Sequence, residues 1–139
     1  MQFTFTEEQA QIRESVETAC TELCDREALF NAIEDSGGFH AEAWRTLCVE
    51  MGLGLTAIPE DRNGLGLGTI ELASIMEKMG RTLLPTPFFT SIVLCANALI
   101  HGERDTAFDT ILADISSGEK IASFVFLNRE GKNSANSNV

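Results

Sequence analysis

A chain of 139 residues, 44% of them hydrophobic and 22% charged, can bury the core of one domain and is too apolar to remain unfolded. Its 21 acidic and 10 basic residues leave a formal charge of −11. That balance excludes the lysine- and arginine-rich surfaces that hold nucleic acid or an anionic bilayer. The first helix signal comes at Thr6, followed three residues later by Gln9, a capping-box spacing with Glu7 and Glu8 placed where the helix dipole favours negative charge. Phe5 stands where it could staple onto the next turn. Ile12, Val16, Ala19 and Leu23 recur on one face, and residues 35–38 break the pattern.

A second helix is predicted over residues 41–51, with Trp44, Leu47, Cys48 and Met51 on its apolar side and Gly52 ending it in the left-handed region. Residues 53–68 form a loop with Pro59 and a cluster of glycines. A third helix starts near Thr69 as its N-cap, buries Leu72, Ile75, Met76 and Met79, and stops at Gly80. After a rigid turn ending in Thr86 and Pro87, nearly every position from 88 to 100 is apolar, so this helix is expected to be buried on most sides; Gly102 ends it. A last helix spans about 106–116, with Phe108, Ile111, Leu112 and Ile115 inward. Residues 121–127 read as a short β-strand, and residues 128–139, polar and rich in Asn and Ser, as a disordered tail. The expectation is an all-α orthogonal or up-down bundle of about five to six helices over residues 1–118, then one terminal strand. A lone strand leaves its backbone groups unpaired, so residues 119–127 make sense as the start of a β-domain lying beyond this sequence.

The apolar run at 88–100 contains Thr90, Ser91 and Asn97 and is too short to span a bilayer. The start, Met1-Gln2-Phe3, carries no leader pattern, so a soluble, cytoplasmic protein is expected. Cys20, Cys24, Cys48 and Cys95 form no CxxC pair and are read as buried reduced thiols; a metal half-site at Cys20 and Cys24 lacks a second pair.

The glycine run from Asn63 to Gly68 invites a nucleotide-binding reading. A dinucleotide fingerprint counted from Gly64 would need glycine where Thr69 stands, and no Lys-Ser or Lys-Thr follows, so the run reads as a loop with tight turns. Glu60, Asp61 and Glu71 occupy a loop and a helix start, where nothing in the pattern buries a carboxylate for acid–base work. His40 can cap a helix and His101 sits at a helix C-terminus. The residues themselves show no active site.

The order of short motifs says more. Phe5-Thr6-Glu7-Glu8-Gln9 opens the chain, Trp44 and Leu47 lead into Glu50-Met51-Gly52-Leu53-Gly54-Leu55, and Ile58-Pro59-Glu60 precedes the glycine run and Glu71. Gly80-Arg81 with Leu83-Leu84-Pro85, residues 99–102, and residues 115–119 complete the series. This succession, over about residues 3–127, resembles the N-terminal domain of the acyl-CoA dehydrogenase family, and residues 80–87 are similar to the branch that includes steroid side-chain and two-subunit enzymes.

The resemblance implies an all-α domain followed in complete members by a β-domain and a C-terminal helical domain, with FAD bound by those later parts and a neighbouring subunit. It implies α,β-dehydrogenation of an acyl-CoA to a 2,3-enoyl-CoA, with the catalytic glutamate outside this sequence and no catalytic residue within it. Placing Gly102 on the glycine that ends the corresponding helix puts Phe89, Thr90 and Val93 at positions that line the acyl pocket. As ordinary core side chains of a buried helix, the same three residues need no such role. Three departures stand out: Asn63 replaces the first of two adjacent glycines, Asn128 follows where an acidic-proline motif is usual, and the β- and C-terminal domains are absent. The implied partners are an acyl-CoA, the remaining domains or a partner chain, and further subunits of an oligomer. A non-catalytic helical scaffold is the alternative.

Overall fold

A computed structural model describes residues 4–103 and 105–125, and these form the expected all-α bundle. Helix α1 (Glu7–Leu23) begins with the anticipated capping box: the Thr6 hydroxyl accepts from the Gln9 amide at 3.2 Å, and the Gln9 side chain accepts from the Thr6 amide at 3.0 Å. A break at Cys24 then separates it from α2 (Arg26–Glu34), because the Asp25 carboxylate turns in to accept from the Ala28 amide at 2.8 Å and starts a new helix. Helix α3 (Ala41–Arg45) widens into a π-helical turn, π1 (Thr46–Glu50), and Gly52 closes it at φ 67°, as its place in the sequence predicts.

Helix α4 (Thr69–Thr82) departs from expectation at both ends. Gly68, not Thr69, is the N-cap, and the Glu71 carboxylate reaches back to its amide at 2.8 Å, so no capping side chain is needed at that position. At the other end the helix runs through Gly80 to Thr82. Leu83 takes the left-handed cap at φ 55°, while the Leu84 amide donates to the Met79 carbonyl at 3.1 Å. The apolar helix then follows as π2 (Phe89–Ala96) and α5 (Asn97–His101), and α6 (Thr106–Ser116) is capped by Asp105, which accepts from the Ala107 amide at 2.7 Å.

The core is one cluster shared by α1, α3, π1, α4, π2 and α6, with α1 packed along α4. Val16, Cys20, Trp44, Leu47, Ile75, Phe88, Ile92 and Ile115 are all buried within one cluster. Helix α6 packs on π2 and α5 through Leu112 and Ile115, while Phe108 and Ile111 remain more than 40% exposed on the face expected to be inward.

The expected strand at 121–127 is not seen: residues 121–125 are described and make no ladder, and Phe126 and Leu127 lie outside the described residues, as does the expected tail 128–139. A strand exists only by pairing, and here the backbone of Ala122 is satisfied by a side chain. Its N–H donates to the Ser91 hydroxyl at 3.0 Å, and its carbonyl accepts from that hydroxyl at 2.8 Å.

Candidate functional site

Each site residue expected from the sequence lies on or beside the segment that opens with Phe88. Thr86 and the carbonyl of Pro87 precede it, and that carbonyl accepts from the Ser91 amide at 2.9 Å to begin the winding. Phe88 and Ile92 turn inward and are 1% exposed, and Ser91 is fully buried. Phe89, the adjacent residue, turns outward and is 49% exposed; Val93, one turn further on, is half-buried. The Thr90 hydroxyl is bonded back to the Pro87 carbonyl at 3.1 Å, so it is already engaged. The expectation that this helix is buried on most sides holds for residues 91–100, which are buried or half-buried; the exposed side is at its start, where Phe89 and Thr90 face outward.

Phe89 borders a hollow of about 120 Å³ between this segment and the C-terminal end of α4. Met76, Gly80, Leu83 and Phe88 share its lining, whereas Thr90 and Val93 do not. Sequence reasoning did not find Leu83 here, because a leucine in the left-handed cap position has no sequence signal: glycine is the usual occupant. Gly80 was visible as a helix stop and as the first residue of a family-like motif, neither of which marks a hollow. Larger hollows lie elsewhere, among them one of about 360 Å³ between α2 and the start of α3 by Ala32, Phe39 and His40. Another, about 550 Å³, runs along α1 by Gln9, Ile12 and Leu67, and one, about 460 Å³, lies between the glycine loop and His101.

The glycine loop is closed to phosphate. The amides of residues 64–67 donate in turn to the carbonyls of Pro59, Leu55, Ile58 and Thr56 at 2.8–3.0 Å, and that of Gly68 donates to Glu71. An anion cradle needs those N–H groups free. The loop therefore does not fit the pyrophosphate of a flavin dinucleotide. Its special residues serve the turn: Asn63 and Gly66 adopt φ 61° and 63°, and a Cβ on Gly64 would come within 2.0 Å of the Ile58 carbonyl oxygen. Arg62 ties this loop to the helices beyond it, its guanidinium reaching the Leu99 carbonyl at 3.4 Å and Asp109 at 3.4 Å.

The other polar groups serve the framework. His40 caps α3 by accepting from the Ala43 amide at 3.2 Å, and His101 occupies the last turn of α5. The hydrogen bond from the Gln9 side chain, 2.7 Å long, is the main influence holding the Glu71 carboxyl below its ordinary value. Burial raises all four thiols, Cys20 to about 11 and Cys48 to about 12, and so suppresses the thiolate. Among the described residues no cluster of His, Cys, Asp and Glu suits a metal ion, and no helix is long and apolar enough to cross a membrane.

Against known proteins, the profile for the acyl-CoA dehydrogenase N-terminal domain matches residues 6–119. Acyl-CoA dehydrogenase IpdE2 of Mycolicibacterium smegmatis is 29% identical over 121 residues, covering 87% of this chain and 37% of that protein. The chain thus spans little more than a third of that relative. The solved ChsE4–ChsE5 complex of Mycobacterium tuberculosis superposes with a TM-score of 0.85 at 26% identity, over 96% of this chain and 36% of that one. A Tcur3481–Tcur3483 steroid ACAD variant shares the fold, with a TM-score of 0.79 at 22% identity over 88% of this chain and 33% of that one.

Proposed function

Because the chain belongs to the acyl-CoA dehydrogenase family through its N-terminal domain, we propose that it supplies one wall of an acyl-CoA pocket and leaves redox chemistry to protein outside its own sequence. The wall is the outward face of the segment from Phe88 to His101, with Phe89 as its principal contact and Thr90 and Val93 beside it. The observation that carries this reading is the contrast between Phe88 and Phe89. One ring fills the core, and its neighbour stays half in solvent next to an apolar hollow that no described residue fills.

Such a wall binds and excludes. Apolar side chains on a helix take up the acyl chain and remove water from the thioester end of the pocket, while the helix backbone, anchored by Ile92 and Ser91, holds the face in place. When bound in a complete family member, FAD would supply the redox chemistry of α,β-dehydrogenation, and a carboxylate would serve as the base. The glycine loop does not fit that cofactor, and the reading places both the flavin and the base in the remaining domains or a partner chain. The partner-chain form is supported by the solved relative, a complex of two named proteins. On this reading the chain by itself is inactive.

The test is Phe89→Ala in the flavin-loaded enzyme that contains this chain. Preference should shift toward longer or bulkier acyl-CoAs with flavin content unchanged. An unaltered preference would remove Phe89 from the pocket. In the two-chain form, flavin should accompany a copurifying partner and be absent from this chain alone.

A further inference from the structure

The two residues that flank Phe89 across the small hollow are each in the wrong place for the stability of α4. Gly80 sits inside the helix at normal helical dihedrals, where glycine is the poorest former after proline. A Cβ built there meets nothing within 4 Å among the described residues, so none of them requires the missing side chain. Three residues on, Leu83 occupies the left-handed cap at φ 55°, a position that favours glycine, and its side chain is 68% exposed. Exchanging the two residue types would relieve both anomalies. Local strain that the fold does not use points to a site that does.

Both anomalies line one hollow. With Met76, Phe88 and Phe89 they enclose about 120 Å³, roughly the liquid volume of four waters and so of a few methylene groups. The absent side chain at 80 keeps one side of this space open, and the leucine at 83 supplies an apolar rim that glycine could not.

We propose that Gly80 and Leu83 determine the length and width of the acyl group that the pocket accepts, the notch before Gly80 receiving its far end. This rests on the acyl-wall reading above and extends it to residues of a second helix. The occupant is the terminal part of an acyl chain, because the lining is apolar and offers no charge to a more polar ligand.

The experiment compares Gly80→Ala, Leu83→Gly and Phe89→Ala in two measurements. In the purified 139-residue chain, Gly80→Ala and Leu83→Gly should each raise the thermal midpoint, by about 4 °C. In the flavin-loaded enzyme containing the chain, butyryl-CoA and octanoyl-CoA binding is followed by calorimetry. Gly80→Ala should weaken octanoyl-CoA relative to butyryl-CoA by about tenfold, the worth of a methylene in an apolar pocket. Leu83→Gly should change the same ratio in favour of the longer chain. A fall in the thermal midpoint on Gly80→Ala would show that this chain's own packing uses the space and would overturn the proposal. An unchanged ratio in Gly80→Ala and Leu83→Gly, with a shifted one in Phe89→Ala, would overturn it and leave the acyl wall standing. No binding of either thioester, or no shift in any variant, would remove both.

Discussion

The two sides of α4 are finished to different degrees. Toward α1 it buries Leu72, Ile75 and Met79 against Val16 and Cys20, and the seam is edged with charge: Arg13 meets Glu77 at 2.8 Å, Lys78 meets Glu17, and Gln9 meets Glu71. The Arg13 guanidinium also lies 4.3 Å over the Phe5 ring, which spends that ring on the surface of α1. Toward Phe89, itself half-exposed, the end of α4 offers a glycine whose missing side chain would meet no described atom, and an exposed leucine. The first side is complemented within the chain. The second has apolar surface and no charged edging, the composition expected of a surface that something else covers.

The sharpest way to break this comparison uses adjacent residues. Phe88→Ala should cost about 3–5 kcal/mol by emptying a core position, and Phe89→Ala less than about 1 kcal/mol, both from urea unfolding of the chain. Equal losses would mean that Phe89 is core and that this face is closed. Next in size is Ser91→Ala. It strips both backbone groups of Ala122 of their partner and should cost about 1–3 kcal/mol, while a neutral result would show water replacing the hydroxyl without penalty.

Acid sharpens the contrast from the other side. Hydrogen bonds from Lys78, Arg13 and Gln9 hold Glu17, Glu77 and Glu71 below their ordinary value of 4.5 in the folded chain. Depressed folded values bind protons less readily than the unfolded chain does. Their stabilisation is therefore complete above pH 4.5 and is lost as pH falls through the lower folded values. A Glu17→Gln, Glu77→Gln double variant should lose less stability than the parent between pH 7 and pH 3, and an identical loss would take the seam out of the acid response. The smallest effect is kinetic. Cys48, buried and raised to about 12, should alkylate more slowly at pH 8 than the partly exposed Cys95 in the native chain. Equal rates would place Cys48 at the surface.

The finished side was legible in the sequence, because helices that complement each other within one chain leave periodic apolar faces and capping residues behind. The spacing of Ile12, Val16, Ala19 and Leu23, the Thr6–Gln9 box, Gly52 and the α6 boundaries all correspond to the structure. The break at Asp25 was missed because one capping carboxylate inside a continuing polar–apolar pattern is a weak signal. The end of α4 was misread because Gly80 is used against its habit and Leu83 against its own. The open face could not be told from core by hydrophobicity, since both are apolar; only the order of motifs marked that helix as a pocket wall. The strand at 121–127 was inferred from composition, which does not supply a partner.

In the proposed pocket, the outward face of the segment from Phe88 to His101 touches the acyl group. A diazirine at the far end of an octanoyl-CoA, photolysed in the flavin-loaded enzyme that contains this chain, tests it by peptide mapping. Label is expected on Phe89 and on the neighbouring end of α4, competed away by unlabelled octanoyl-CoA. Competable label confined to α1, the glycine loop or protein outside this chain would contradict it.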